Sequence, residues 1–391
     1  MRNIILSDSE EIHSALLPLT FTRPISELTI GFGTIRERWI RMLPGQYSYY
    51  TAAYLSELFP LAGNIGESLV INSSFLPDKD IVEAVSRLEP GEMLALSDGT
   101  PIAMNGFSSP SDARSTKTFS GSTVIIRRPY DLFMHNAEAI TSDFADITDG
   151  KESQALSGTC TVIGDQSLIF MEAGAKAEGA FLNTTAGPIY IAAGAEIMEG
   201  SCLRGPIYIG EHSTVNMGCK IYGATTIGAH CKVGGEINNI VMHPYSNKAH
   251  DGFLGNAVIG SWCNLGAGCV ASNLKNDYTE IKLWDYSCRR FTRTGLQFCG
   301  LIMGDHSKAG INTMFNTATV VGIGVNIHGT GFPRNFVASF SEGSAGTGFA
   351  DVSLTKFFAI AERVMARRNV QLTEPMRRLF SDLHELTAEN K

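Results

Sequence analysis

Positive charge is scarce in this 391-residue chain. Its 31 Lys and Arg stand against 39 Asp and Glu, a formal net charge of −8. A general nucleic-acid binder needs the opposite balance, so nucleic acid is not expected as a partner. No run of about 18 apolar residues occurs, so no membrane partner or span is expected. The start, Met1 to Leu6 followed by Ser7-Asp8-Ser9-Glu10-Glu11, is too short and too acidic for a secretion signal. A cytoplasmic location is therefore expected. The eight cysteines include no Cys-x-x-Cys pair. The first 150 residues lack the periodicity that governs the rest. Glycine is plentiful, at 40 residues, and most of it falls in that periodic part.

The period is six. Ile191, Ile197, Leu203, Ile209, Val215, Ile221, Ile227 and Val233 follow one another at that step. The position four after each aliphatic is small at Ala195, Ser201, Ser213, Cys219, Thr225 and Cys231, with Ile207 the exception. A helix repeats at 3.6 and a strand at 2, so neither alone gives a strict six. A β-solenoid does, with three short faces per coil and one hexapeptide on each. The aliphatic side chain then points inward and the small residue turns the corner. Ile163 and Ile169 carry the step upstream, and Ile259, Leu265, Val321 and Ile327 resume it downstream. The register slips at Phe181–Pro188 and breaks at Glu236–Asn256, which holds His243 and His250. A break of this kind reads as a binding loop. Cys219, Cys231, Cys263 and Cys269 occupy the small slot, as reduced small hydrophobes.

Outside the repeats, Asn3–Leu6, Ser68–Asn72 and Met93–Leu96 read as strands. Thr34 caps one helix, and Asp78–Leu88 forms another. The alternation suggests an α/β domain with a partly parallel sheet over residues 1–150. Ser108–Ser122 reads as a surface loop, and a helix from Arg127 to about Phe144 as a linker. The solenoid is expected over 155–345. Two amphipathic helices at 350–391 carry Leu354, Phe357, Phe358, Ala361 and Met365, then Met376, Leu379, Phe380 and Leu383. They are expected to cover the last coil or to reach a neighbouring subunit.

Lys248-Ala249-His250-Asp251-Gly252-Phe253-Leu254-Gly255-Asn256 is similar to a lysine-alanine-glycine-histidine-x-x-tyrosine-leucine-glycine-aspartate segment, one residue short before the histidine. The likeness runs on through Asn264-Leu265-Gly266-Ala267-Gly268 to Asn273. With these residues the solenoid resembles the left-handed parallel β-helix of hexapeptide acyltransferases. The two-part layout resembles the bifunctional N-acetylglucosamine-1-phosphate uridylyltransferases/glucosamine-1-phosphate acetyltransferases and related sugar-1-phosphate nucleotidyltransferases. The resemblance implies an acetyl-CoA-dependent acetyltransferase acting on an amino-sugar 1-phosphate. His250 would be the general base for the attacking amine, a task suited to a neutral imidazole. Asn264 would meet the acceptor sugar, with Lys220, Lys232 and Lys248 as candidate phosphate partners. Phe253 stands where that group has an acceptor-holding tyrosine. Ala267 and Asn273 would line the acetyl-CoA groove. A homotrimer is implied as well. The plainer reading of His250 is a solvated loop residue.

Leu16-Leu17-Pro18-Leu19-Thr20, followed by Arg23-Pro24, is similar to the leucine-x-proline-leucine-threonine signature of sugar nucleotidyltransferases. The glycine-rich phosphate cradle that should precede it reads Ser7-Asp8-Ser9-Glu10-Glu11, Ile25 replaces a lysine, and Asn72-Ser73-Ser74 lacks an aspartate. By the resemblance Leu17, Thr20 and Arg23 would bind nucleotide, and Asp8 or Asp98 would hold a Mg²⁺. Two further readings stay open. In one, nucleotidyl transfer (uridylyl or thymidylyl) is the activity and the solenoid a scaffold. In the other, the chain only binds sugar nucleotides. A zinc reading rests on His212 and His230, eighteen residues apart, with His243 or His250 as a third ligand; the plainer reading is stacked surface histidines with no metal.

Overall fold

The structure is a computed structural model, describing residues 2–390. It forms two compact units, the first of Met1–Leu16, Thr22–Leu28 and Gly33–Asp131 and the second of Leu17–Phe21, Thr29–Phe32 and Leu132–Lys391.

The first unit is an α/β layer. Its six-stranded sheet runs Gln46–Tyr50, Asn3–Ser7, Leu69–Asn72, Pro101–Asn105, Glu92–Ala95, Ser115–Thr118. The first three strands are mutually parallel, and Pro101–Asn105 is antiparallel to both neighbours. Asn3–Ser7 is central and apolar on both faces, as a strand covered on two sides must be; Ile4, Ile5 and Leu6 are fully buried. Thr34 makes a capping box with Glu37 and opens the Ile35–Met42 helix. Asp78 caps Lys79–Ser86. The expected loop at Ser108–Ser122 contains a strand, Ser115–Thr118. Its exposed Ser, Thr and Lys side chains suit a sheet edge.

The second unit is a parallel β-solenoid. Three sheets of eight, nine and ten strands form its faces, parallel throughout except for the last strand of the ten-stranded sheet. From Ile191 to Val233 the periodic aliphatics point inward, at most 1% exposed and in one continuous core; Ile163, expected on the same step, is exposed instead, because Val162 takes the inward slot beside Leu182. Burying such a side chain is worth about 1.5–3 kcal/mol, and the column repeats that gain in each coil. The four repeat cysteines are free and buried, and burial pushes the Cys219, Cys231 and Cys263 thiols up to about 12.

The expected break at Glu236–Asn256 is a full coil. Its strands are Glu236–Asn238, Val241–Met242 and Asn247–Lys248. Ile209 pairs with Ile227 eighteen positions on, but Ile227 pairs with Met242 after only fifteen, and Met242 with Ile259 after seventeen. Shortened corners disturb the count without disturbing the fold. The true excursion lies later, where Ile259 pairs with Met303. The segment between includes a hairpin of Lys282–Asp285 and Arg290–Arg293, fixed by Trp284 stacked on Phe336 at 4.2 Å.

The expected linker is two helices, Asp131–Met134 and Asn136–Thr148, separated at His135. At the far end, Gly348–Asp351 pairs antiparallel with Ser341–Ser344 and closes the edge of the ten-stranded sheet. The Leu354–Ala366 and Glu374–Leu386 helices pack against a solenoid corner. Phe357 meets Phe340, Phe380 and His306 there. Among the described residues no helix is long and apolar enough to cross a membrane.

Candidate functional site

His250 sits at the corner that follows the Asn247–Lys248 strand, and it is exposed. Its position is set from below. Lys248 pairs in register with Val233, so it occupies an inward slot of the aliphatic column and is fully buried. Its ammonium donates to the carbonyls of His250 and Asp251. A buried cation needs such partners, and burial lowers its pKa. Gly268 N–H donates to Asp251 O at 3.0 Å, and Asn216 Nδ2 to Ala249 O at 2.8 Å. The turn bearing His250 is thus pinned by a lysine inside the core.

The other residues singled out fall on the two faces that meet at this corner. Lys220 and Phe253 lie in one outward column, with Glu236 between them. Lys232 and Asn264 lie in another, with Asn247 between them. Ala267 is at the His250 corner one coil later, and Asn273 donates to Asn256 Oδ1 at 2.7 Å.

The Lys232 column continues as Lys232, Asn247, Asn264, Lys308 in consecutive rungs. It lines a cavity of about 590 Å³ together with Tyr245, Trp262, Val364, Arg367 and Arg368. Arg368 Nη2 donates to Asn247 Oδ1 at 3.3 Å, and Lys308 Nζ to His306 O at 2.8 Å. Among the described residues, none that lines the cavity carries a carboxylate. Burial pushes the Lys308 ammonium down to about 8.

One wall of this cavity belongs to a column of stacked rings. His212, His230, Tyr245, Trp262 and His306 follow one another with centroids 5.2, 4.9, 4.1 and 6.0 Å apart. Each takes a left-handed backbone, with φ between 55° and 67°. That conformation costs a non-glycine residue about 1–2 kcal/mol. Ring stacking returns about 0.5–1.5 kcal/mol per pair. One coil earlier the corner is Gly194, where an added Cβ would collide with the His212 ring. Burial first, and then the charges of His212 and Arg368, lower the His230 pKa.

Sequence reasoning missed Tyr245, Trp262, Lys308, Arg367 and Arg368. A signal was there. Each ring lies two positions before an outward polar residue: His230/Lys232, Tyr245/Asn247, Trp262/Asn264, His306/Lys308.

His212 and His230 stack as the spacing implies, but His243 faces elsewhere. Its Nε2 accepts from Thr29 N–H at 3.2 Å, which leaves Nδ1–H for Ile259 O at 3.1 Å. Among the described residues no group of three or more His, Cys, Asp or Glu could hold a metal ion.

In the first unit, Asp8 follows the central strand with its side chain 2% exposed. Its carboxylate accepts from Ile25 N–H at 3.1 and 3.3 Å and from Thr51 Oγ1 at 2.7 Å, and it faces His13 Nδ1 at 3.1 Å. These neighbours leave little room for a hydrated cation. Asp98 lies in an exposed turn and accepts from Thr100 N–H at 2.9 Å, a bond that holds its carboxyl below the usual range. Arg23 is half-buried, with Nη2 3.4 Å from Thr22 Oγ1. Leu17 and Thr20 belong to the second unit, where Thr20 is fully buried. Asn72 Oδ1 accepts from Ser74 N–H and Oγ, a local turn.

Residues 4–152 match the family model described as sugar nucleotidyl transferase. Comparison with curated proteins gives no match. Among solved structures, similar ones include a hexapeptide transferase family protein from Anaplasma phagocytophilum, 14% identical, covering 54% of this chain and 92% of that one at a TM-score of 0.23. The UDP-N-acetylglucosamine acyltransferase of Francisella novicida is 14% identical, covering 59% and 76%, and that of Arabidopsis is 15% identical, covering 60% and 81%; both have TM-scores of 0.23. At that identity and TM-score these likenesses say nothing of activity or substrate.

Proposed function

We propose that this chain is a transferase acting on a phosphorylated sugar. The solenoid transfers an acyl group from an acyl-CoA donor, acetyl-CoA in the simplest case, to a sugar amine. The first unit binds a sugar nucleotide or its sugar phosphate. The observation that carries the substrate class is the sugar nucleotidyl transferase match over residues 4–152. The pinned, exposed His250 supports the reaction type.

In this reading His250 takes a proton from the amine as its nitrogen attacks the thioester carbonyl. The C–N bond forms, the C–S bond breaks, and the CoA thiolate leaves to be protonated. A positioned base of this kind is worth about 10²- to 10⁴-fold. Lys248 holds the turn that carries His250. Asn264 and Lys232 meet the acceptor, Lys220 and Phe253 flank it from the neighbouring face, and Ala267 and Asn273 line the donor groove. The assembly is a homotrimer, with sites at the seams between solenoids. Arg23 belongs to nucleotide binding in the first unit, whereas Leu17 and Thr20 lie outside that unit.

The family match also favours a second reading, in which nucleotidyl transfer is the activity. Two assays separate them. CoA thiol release with glucosamine 1-phosphate supports the first. Pyrophosphate release with nucleoside triphosphates and sugar 1-phosphates supports the second. Binding with neither release leaves a sugar-nucleotide binding protein.

A further inference from the structure

Four cationic side chains converge on one cavity, and among the described residues its lining holds no carboxylate to pair with them. Lys232 and Lys308 stand three rungs apart on the same outward column, with the amides of Asn247 and Asn264 between them. At strand spacing the lysines are about 14 Å apart. Arg367 and Arg368 come from the C-terminal end of the Leu354–Ala366 helix, over the middle of that column. Two arginines at a helix C-terminus have a local reason, since they complement its negative pole. Lys308 has no such reason. It is half-buried, its ammonium donates to the carbonyl of His306, and it lines the same cavity. An ammonium held this way loses hydration that an anionic ligand would replace.

The cavity is also rigid where it needs to be. The ring column forms the wall beside the Asn247 and Asn264 rungs, and five non-glycine residues hold a costly left-handed backbone to build it. The volume of about 590 Å³ falls within the range of small-molecule pockets. A single phosphate would use one or two of the four cations and leave the others unmatched.

We propose that this cavity holds a diphosphate group, as carried by nucleoside diphosphates and their esters, laid along the solenoid axis from Lys232 toward Lys308 and closed over by Arg367 and Arg368. The assignment rests on the transferase reading only for what the ligand is used for. The amides fix the bridging region, and the lysines and arginines meet the phosphoryl oxygens. The site is built within one chain, on the face beside His250.

Trp262 lines the cavity and is one of three tryptophans, so its emission reports on occupancy. The intact protein is titrated with inorganic pyrophosphate, followed by fluorescence and calorimetry. ADP, UDP and inorganic sulfate are run in parallel. Saturable pyrophosphate binding is expected, weakened roughly tenfold or more in Lys308→Gln and in Arg368→Gln. Trp262→Phe should lose the fluorescence change and keep the heat. Tighter binding of ADP than of UDP would join the site to the acyl donor, and the reverse order to a sugar nucleotide; both support a diphosphate site. No saturation at millimolar pyrophosphate overturns the proposal. So does equal affinity for sulfate, or unchanged affinity in both variants with wild-type melting. CoA release is not among the readouts, so a failed acyl-transfer reading leaves this result standing.

Discussion

Two lysines in the solenoid stand out because neither behaves as a surface charge. Lys248 takes a core slot to hold the turn below His250. Lys248→Met should therefore keep the melting temperature close to wild type, since a flexible apolar chain of similar length suits the column. It should still lower CoA release about 10- to 100-fold, because the His250 turn loses its tether. Thermal melting and a thiol assay on the same preparation check both halves. His250→Ala removes the base itself and should cost about 10²- to 10⁴-fold with unchanged melting; unchanged CoA release would remove His250 from the mechanism. Lys308 gives a pH signature. Its folded pKa is pushed down to about 8 by burial, with Cys263 opposing the shift, while an unfolded lysine titrates near ~10.4. Between those values the unfolded chain holds a proton that the folded chain has released. Stability contributed by this site therefore rises with pH across that window. Lys308→Met should flatten the rise, measured as the change in denaturation midpoint between about pH 8 and about pH 10.

At the scale of elements, the repeat register governs what can be changed. Ile221 stacks between Leu203 and Ile237 in successive coils and is 1% exposed. Ile221→Asp buries a charge without a partner, at a cost of about 4 kcal/mol or more. The expected outcome is insoluble protein or a melting temperature lower by about 10 °C or more; wild-type melting would contradict the register. That register was legible in the sequence only where the corners keep one length. From Ile191 to Val233 every inward position was visible. It was lost at Glu236, because the next coil is fifteen residues long, and because Lys248 fills a slot where an aliphatic was sought. The later inward residues Met303, Ala309 and Phe315 went unseen behind the hairpin insertion. The candidate site was legible in the same uneven way. His250, Lys232 and Asn264 carry motifs or charge. Arg367 and Arg368 reach the cavity only through tertiary packing, which no local pattern announces. The ring column was half seen, as two histidines eighteen apart.

For the whole molecule, the proposed seams require a trimer, and light scattering should return about three times the 42.2 kDa chain mass; a monomer at micromolar concentration would remove the shared sites. The first unit carries the sharper question. Ligands of open α/β sheets sit beyond the carboxyl ends of parallel strands. Here that position after the central strand already holds an anion. The Asp8 carboxylate takes the Ile25 N–H and Thr51 hydroxyl donors and faces His13. Nucleotidyl transfer needs donors free for phosphate, a cation, and a carboxylate free for a metal, because charge builds on the α-phosphate. Arg23 could supply the cation, but Asp8 spends both the donors and the carboxylate on internal bonds. Nucleotidyl transfer should therefore be slow or absent, with sugar phosphate or nucleotide binding retained. The measurement is pyrophosphate release with Mg²⁺, a panel of nucleoside triphosphates and several sugar 1-phosphates, alongside calorimetry of the same ligands. Binding heat without pyrophosphate is the expected result. Robust turnover that vanishes in Arg23→Ala would mean the Asp8 cluster opens in solution, and the first unit would then be a working nucleotidyltransferase.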